Sequence, residues 1–322
     1  MFLRLAPATV ALFATLLLVA CGSDGRDGTP TGADGENPRV MTSLDIFADF
    51  VREVGGDRVE VTALLPSGAD PHTYEPTPSD IRRITEAEII FVNGLDLEAA
   101  ALKVIEPNLP SGVPMIELAE EASEAGVALR PFGGGEEHEE DQHVHEGADP
   151  HVWLSVDNVR EYARIIRDGL TDVDPEGAPQ YEENYQSHLA RLDGLDEYVR
   201  EAVSTVPPER RKIVSTHAAF GYMADYMDFE VAGVVAISPG QDPSPRDIAD
   251  LTNAIKDQGV PAVFTEPQIG ADSRLLEQIA ADAGVQVCTL YSDTLTDDVP
   301  TYIDMMRFNA DELLRCLGGA SD

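Results

Sequence analysis

Two histidines sit in the same five-residue setting, Gly68-Ala69-Asp70-Pro71-His72 and Gly147-Ala148-Asp149-Pro150-His151, and each copy reaches an aromatic two residues later ("GADPHTYEPTPSD", "GADPHVWLSVDN"). The flanks do not otherwise match, so a shared local task explains the repetition better than an internal duplication. That task is to hold a histidine rigidly near the start of a helix, because the preceding proline fixes its own φ. A third histidine, His217 in "KIVSTHAAFGYM", directly follows a buried-strand pattern. Taken singly, each reads as a hydrogen-bonded structural histidine. Taken together, three such positions among seven histidines favour a metal site. Imidazole nitrogen is a preferred donor for zinc, which usually takes four ligands, and a carboxylate can complete the set.

These side chains must be positioned by the surrounding elements. The runs "RVMTS", "RVEVTALL", "EIIFVNG" and "VPMIEL" read as buried strands, separated by helical stretches such as "LDIFADFVREV" and "PSDIRRITEA". Thr77 is placed to cap the second of these, with Pro78 in the first turn and Asp80 where a capping box takes an acid. Ser155 is placed to cap "VDNVREYARIIRDGL". From Pro179 to Val203 one long helical run has Tyr181, Tyr185, Leu189, Leu192, Leu195, Val199 and Ala202 as its buried stripe, which leaves His188 on the solvent side. Strands then alternate with helices again through "KIVST", "VAGVVA", "AVFTE" and "VQVCTL", and Ser244-Pro245-Arg246-Asp247 opens a helix by the same capping logic as Thr77. The expected fold is α/β: two lobes, each a mainly parallel sheet flanked by helices, joined by one long helix. The divisions fall at 39–178, 179–205 and 206–322. In such sheets ligands gather at the carboxyl ends of the strands. Trp153, the single tryptophan, reads as core, and Tyr74 and Glu75 as shaping the loop around His72.

The first twenty residues carry one Arg, no acid and an apolar run, the pattern of a secretory leader that is too short to span a membrane comfortably. It ends in Leu18-Val19-Ala20-Cys21-Gly22, which resembles a bacterial lipobox with Cys21 as the lipidated residue. Residues 1–21 are thus a lipoprotein signal and 22–38 a polar Gly/Asp/Thr/Pro tether. The chain of 322 residues has 59 acids against 22 bases, a net charge of −37 and a pI near 4.2, which argues against nucleic-acid binding. Cys288 and Cys316 remain as an even pair in an oxidising compartment; they read as a disulfide, with two buried free thiols as the alternative.

The lipobox, "GADPHTYEPTPSDI", "DPHVWL", the acidic His-rich loop at 133–147, the long helix, "STHAAFGYMADYM" and "YSDTL" resemble, in order and over nearly the whole mature chain, the ZnuA-like cluster A-I solute-binding lipoproteins of bacterial zinc and manganese ABC importers. The resemblance implies a site between two lobes joined by a rigid helix. His72, His151 and His217 would be its three histidine ligands, Asp293 of "YSDTL" its carboxylate, and Glu266 of "FTEPQ" an acid behind the ligands. It also implies a monomer, not an enzyme, held by a lipid anchor outside the cytoplasmic membrane (cell surface or periplasm), that delivers its ion to an ABC permease. Manganese-type members carry Glu where His217 stands, and the His-rich loop occurs mainly in zinc-type members. Three imidazoles and one carboxylate suit Zn²⁺, whereas added oxygen donors favour Mn²⁺; zinc is the expected cargo and manganese the alternative.

Other readings stand beside this one. His138, His143 and His145 alternate with acids and form either a weak auxiliary zinc loop or a solvating segment. A secreted zinc hydrolase would need an open coordination position and a base such as Glu266, and the chain has no HExxH motif. A surface adhesin, as some family members are proposed to be, has no motif of its own. Metal binding is expected to weaken as pH falls towards the imidazole reference value of about 6.5.

Overall fold

The computed structural model describes residues 37–132, 147–241 and 243–318. The leader, Cys21, most of the tether and the histidines His138, His143 and His145 lie outside the described residues. In chain order the elements are β1 (Arg39–Thr42), α1 (Asp45–Gly55), β2 (Glu60–Ala63), α2 (Pro78–Glu86), β3 (Ile89–Val92), α3 (Ala99–Asn108), β4 (Met115–Glu117), α4 (Leu118–Glu124), α5 (Val156–Val173) and α6 (Ala178–Ser204). They continue with β5 (Lys212–His217), α7 (Gly221–Met227), β6 (Glu230–Ala236), α8 (Pro245–Asp257), β7 (Ala262–Thr265), α9 (Gly270–Ala283), β8 (Gln286–Thr289) and α10 (Tyr302–Leu317). Two four-stranded sheets result, in the orders β2-β1-β3-β4 and β6-β5-β7-β8, and every strand pairing within them is parallel. Both sheets therefore have one strand order. In each, the first strand lies inside, its successor pairs on one side and the next strand on the other.

Local sequence accounts for much of this. β3 reads Ile-Ile-Phe-Val and is buried throughout, as expected for a parallel strand covered on both faces. α2 begins with the capping box expected from Thr77 and Asp80: the Asp80 carboxylate accepts the Thr77 N–H at 2.7 Å. α8 repeats this with Ser244 and Asp247, each side chain accepting the other residue's N–H. Ser155 stands at the start of α5 in extended backbone, but its hydroxyl makes no capping bond.

One expectation is overturned. His188 does not face solvent; it is only 1% exposed. The buried residues of α6 are Tyr181, His188, Leu192, Leu195, Val199 and Val203, and a step of seven residues from 181 carries the stripe through 188. Its ring packs against Phe50 of α1, while Tyr185, Leu189 and Ala202 are half-buried at the stripe's margins. α6 is therefore more than a connection: α1, α5 and α10 all pack on it. One hydrophobic cluster runs from Val40 to Leu317 and draws residues from both halves of the chain. Trp153 is fully buried within it and donates its indole N–H to the Ser292 carbonyl at 2.9 Å. Among the described residues no helix is long and apolar enough to cross a membrane.

Cys288 of β8 and Cys316 of α10 are joined by a disulfide that closes a separation of 28 residues. Replacing both by serine should cost about 3–4 kcal/mol on the loop-entropy account. For a chain of this size that is a fall of roughly 5–10 °C in the thermal midpoint. An unchanged midpoint would mean that packing of α10 on α6 already fixes this corner.

Candidate metal centre

His217 is the last residue of β5, and Glu266 is the first residue after β7. These adjacent inner strands meet where the strand order reverses, which is where open α/β sheets bind ligands. The first half of the chain offers the matching point at the ends of β1 and β3. There Asn93 donates to the Pro150 carbonyl at 2.9 Å, which fixes the backbone that presents His151. The Asn93 side-chain oxygen accepts the Tyr162 hydroxyl at 2.9 Å, so this buried amide is held from both ends.

The repeated pentapeptide has a structural basis. In each copy the aspartate two residues before the histidine accepts the histidine's own backbone N–H at 3.0 Å, Asp70 for His72 and Asp149 for His151. Such an aspartate turn holds the Asp-Pro-His backbone in one shape. Beyond that the copies diverge. Asp70 takes the Thr73 hydroxyl, whereas Asp149 also takes Nδ1 of the His151 ring at 2.8 Å. Gly68 adopts φ +80°, where a side chain would be strained, and its N–H reaches the Thr294 hydroxyl at 2.7 Å. Gly147 has no such conformation. A further glycine matters on the facing side: a Cβ at Gly221 would lie 2.7 Å from the Asp149 carboxylate, so α7 can close on this aspartate only without one.

These supports bring four side chains to one point. Nε2 of His151 is 3.3 Å from Nε2 of His72 and 3.3 Å from Nε2 of His217. The Asp293 carboxylate completes the group, with Oδ1 3.6 Å from Nε2 of His151 and Oδ2 3.4 Å from Nε2 of His217. All four donors fall within 4.8 Å of one another. Nitrogen ligands at 2.0–2.1 Å from a tetrahedral zinc would stand about 3.3 Å apart. His151, His217 and Asp293 are buried, while His72 forms the partly exposed wall. Oδ1 of Asp293 is buried with no hydrogen-bond partner among the described residues, an expensive state that a cation would relieve. Donor types, spacing and the orphaned oxygen all fit a divalent metal ion.

Glu266 stands behind the donors rather than among them. Its Oε1 lies 3.0 Å from Nδ1 of His217 and accepts the Thr216 hydroxyl, and its Oε2 accepts the Ser292 hydroxyl at 2.5 Å. A carboxylate on Nδ1 keeps a proton there and turns the Nε2 lone pair inward; Asp149 has the same relation to His151. The charges follow from this layout. Burial and the neighbouring imidazoles hold His72 and His151 well below the usual histidine value. Burial also pulls on His217, but the Glu266 and Asp293 carboxylates outweigh it and push the imidazolium up to about 9. Burial raises Asp293 to about 7, against the opposing charge of His217. Without an ion the centre thus holds one imidazolium, His217, set between carboxylates.

The five residues expected from the sequence, His72, His151, His217, Asp293 and Glu266, all lie together here. The supports Asp70, Asp149, Thr216 and Ser292 were not expected from the sequence. Only the two aspartates carried a signal, their fixed place two residues before each histidine.

The arrangement is that of a two-lobed α/β binding protein with a donor cluster at the junction of its sheets. The family described as "Zinc-uptake complex component A periplasmic" matches residues 40–316, and the chain belongs to that family. Among curated relatives it is 32% identical over 300 residues to the manganese-binding lipoprotein MntA of Halalkalibacterium halodurans, covering 92% of this chain and 93% of that one. Among solved structures it resembles the periplasmic zinc binding protein TroA of Treponema pallidum, with a TM-score of 0.77, 28% identity, and coverage of 87% and 99%. It also resembles the Mn-bound periplasmic metal binding protein of Candidatus Liberibacter asiaticus, with a TM-score of 0.74, 26% identity, and coverage of 87% and 100%.

Proposed function

We propose that the protein is the extracytoplasmic substrate-binding lipoprotein of a metal ABC importer, capturing one Zn²⁺ and delivering it to a membrane permease. The observation that carries this reading is the convergence of three Nε2 atoms and one buried, unpartnered carboxylate oxygen on a single point. His72, His151, His217 and Asp293 would be the ligands, with Glu266 and Asp149 orienting two of the imidazoles. Cys21 would carry the anchor, and the protein would act as a monomer on the outer face of the cytoplasmic membrane. The donor set, three nitrogens and one oxygen, is what favours zinc. Similarity to a lipoprotein named as manganese-binding favours the second reading, Mn²⁺ as cargo of the same cleft.

A hydrolytic zinc has less support. Four protein donors leave no position for an activated water. Glu266, the nearest acid that could serve as base, already accepts from Thr216, Ser292 and His217.

Calorimetric titration of the full chain with Zn²⁺, repeated in excess Mn²⁺, tests the reading. One tight site that resists Mn²⁺ is expected. Displacement of Zn²⁺ by Mn²⁺ would reassign the cargo, and absence of tight binding by either ion would overturn the function.

A further inference from the structure

The two residues flanking Asp293 are bonded to the segments that carry the histidines. Before it, the Ser292 carbonyl accepts the indole N–H of Trp153, two residues beyond His151. The Ser292 hydroxyl donates to Glu266, which faces His217. After it, the Thr294 hydroxyl accepts the Gly68 N–H at 2.7 Å, and Gly68 opens the pentapeptide that ends in His72. The direction of this bond is fixed, because a backbone N–H can only donate. The hydroxyl proton is then left for Oδ2 of Asp45 at 3.1 Å or the Leu295 carbonyl at 3.0 Å. Asp45 also accepts the Leu295 N–H at 3.1 Å, so the chain at Thr294 is itself held from the start of α1.

This tie falls where the His72 segment needs one. Gly68 is the third residue of a turn closed by the Ala69 N–H on the Pro66 carbonyl at 3.0 Å. Its φ of +80° is a conformation that glycine enters and leaves without steric cost. The Ser67 hydroxyl adds a parallel bond to the Leu295 carbonyl at 2.6 Å, so two bonds anchor the turn to the loop after β8. The imidazole itself has less support than its neighbours. Nδ1 of His151 faces Asp149 and Nδ1 of His217 faces Glu266, whereas among the described residues Nδ1 of His72 has no carboxylate partner. The aim of His72 thus depends on its backbone. We propose that Thr294 is a positioning residue for His72: its hydroxyl fixes the turn at Gly68 and so brings the His72 imidazole into register with Asp293. This rests on the reading of His72 and Asp293 as ligands of one ion.

Thr294→Val keeps the side chain's shape and removes the hydroxyl, and Thr294→Ser keeps the hydroxyl. Zn²⁺ dissociation constants would be measured at one pH by chelator competition on the full chain, on both variants, on His72→Ala and on His72→Ala/Thr294→Val, with folding checked by circular dichroism. Thr294→Val is expected to weaken Zn²⁺ binding about tenfold, the low end of the range in which groups behind metal ligands act. Thr294→Ser should recover most of that loss. In the His72→Ala background Thr294→Val should change affinity less than about twofold, because the residue it acts through is gone. A general loosening of the fold would weaken binding equally in both backgrounds, and that result would overturn the proposal. So would a Zn²⁺ affinity of Thr294→Val within about threefold of the parent, or an equal loss in Thr294→Ser. Amide hydrogen exchange on the unaltered, metal-free protein needs no variant to fold: the Gly68 N–H should be protected although the residue is exposed. Exchange there at the rate of a free amide would overturn the proposal as well. Failure of the unaltered protein to bind either Zn²⁺ or Mn²⁺ tightly would remove the ligand reading, and the proposal with it. Tight binding with equal effects of Thr294→Val in both backgrounds overturns the proposal alone.

Discussion

Above about pH 9, where no proton has to leave its Nε2, His217→Ala is expected to weaken metal binding by about 10²–10³-fold. Four-ligand structural zinc sites bind with about 10–16 kcal/mol. An even share is thus roughly 3 kcal/mol per ligand, which corresponds to that fold-change. His217 should not fall below the even share, since its Nε2 lies 3.3 Å from His151 and its Nδ1 is already fixed by Glu266. The substitution has a second cost. Glu266 is fully buried, and the positive charge of His217 is the main influence that opposes the effect of burial on its carboxyl group. Removing that charge leaves a buried carboxylate with only neutral donors, the Thr216 and Ser292 hydroxyls and the longer contacts from the residue-217 N–H and the Gln268 amide, and breaking a buried pair typically costs about 3–5 kcal/mol. The metal-free variant should therefore unfold at a lower temperature than the metal-free parent. The double variant His217→Ala/Glu266→Gln should recover part of that stability and none of the affinity. Chelator competition and thermal unfolding on the three proteins separate the two effects. Zinc affinity of His217→Ala within threefold of the parent above about pH 9 would falsify the ligand assignment.

The sequence carried the scaffold further than the site. Strands such as Ile89–Val92 and the capped helix at Pro78 were legible because local pattern and burial agree there. His188 was misread because an apolar stripe was traced through apolar residues alone, whereas its ring continues the stripe seven residues after Tyr181 and packs on Phe50. At the site, His217 could be placed at a strand's carboxyl end from the run that precedes it. Asp293 could be singled out only through family resemblance, since nothing in "YSDTL" by itself marks a ligand. Ser292 was not legible at all. Its role depends on the turn after β7 approaching the loop after β8, a distance of 26 positions in the chain that no local pattern encodes. The two GADPH copies lie between these extremes. Their repetition suggested a common task, but the divergent partners of Asp70 and Asp149 appear only in three dimensions.

Affinity for the metal is expected to fall steeply with pH, by roughly a hundredfold from pH 9 to pH 7 and more steeply below. The sequence alone suggested imidazoles titrating near 6.5, but the structure redistributes the protons. His72 and His151 are held well below that value and stay neutral through the neutral range. His217, pushed up to about 9, is protonated on both nitrogens in the metal-free cleft below that pH. The proton on Nδ1 remains with Glu266 when metal binds, and the one on Nε2 must leave. One proton per ion makes affinity fall tenfold per pH unit between about 9 and 7. Below about 7 the Asp293 carboxyl takes a proton as well, and the slope doubles. The metal-free fold should show the opposite trend. Both groups have raised values in the folded state, so each binds its proton more tightly there than in the unfolded chain. Their stabilising contribution is full below the unfolded values and is lost as pH rises through about 7 for Asp293 and about 9 for His217. Calorimetry in two buffers of different ionisation enthalpy should count close to one proton released per ion at pH 8. A count of zero there would mean that His217 is neutral before the metal arrives and that Glu266 serves only to orient it. A count of one makes capture an exchange of a proton for an ion at Nε2. In that case returning the proton restores the His217 pairing with its carboxylates, so the metal leaves behind a cleft in which the imidazolium already has its partners.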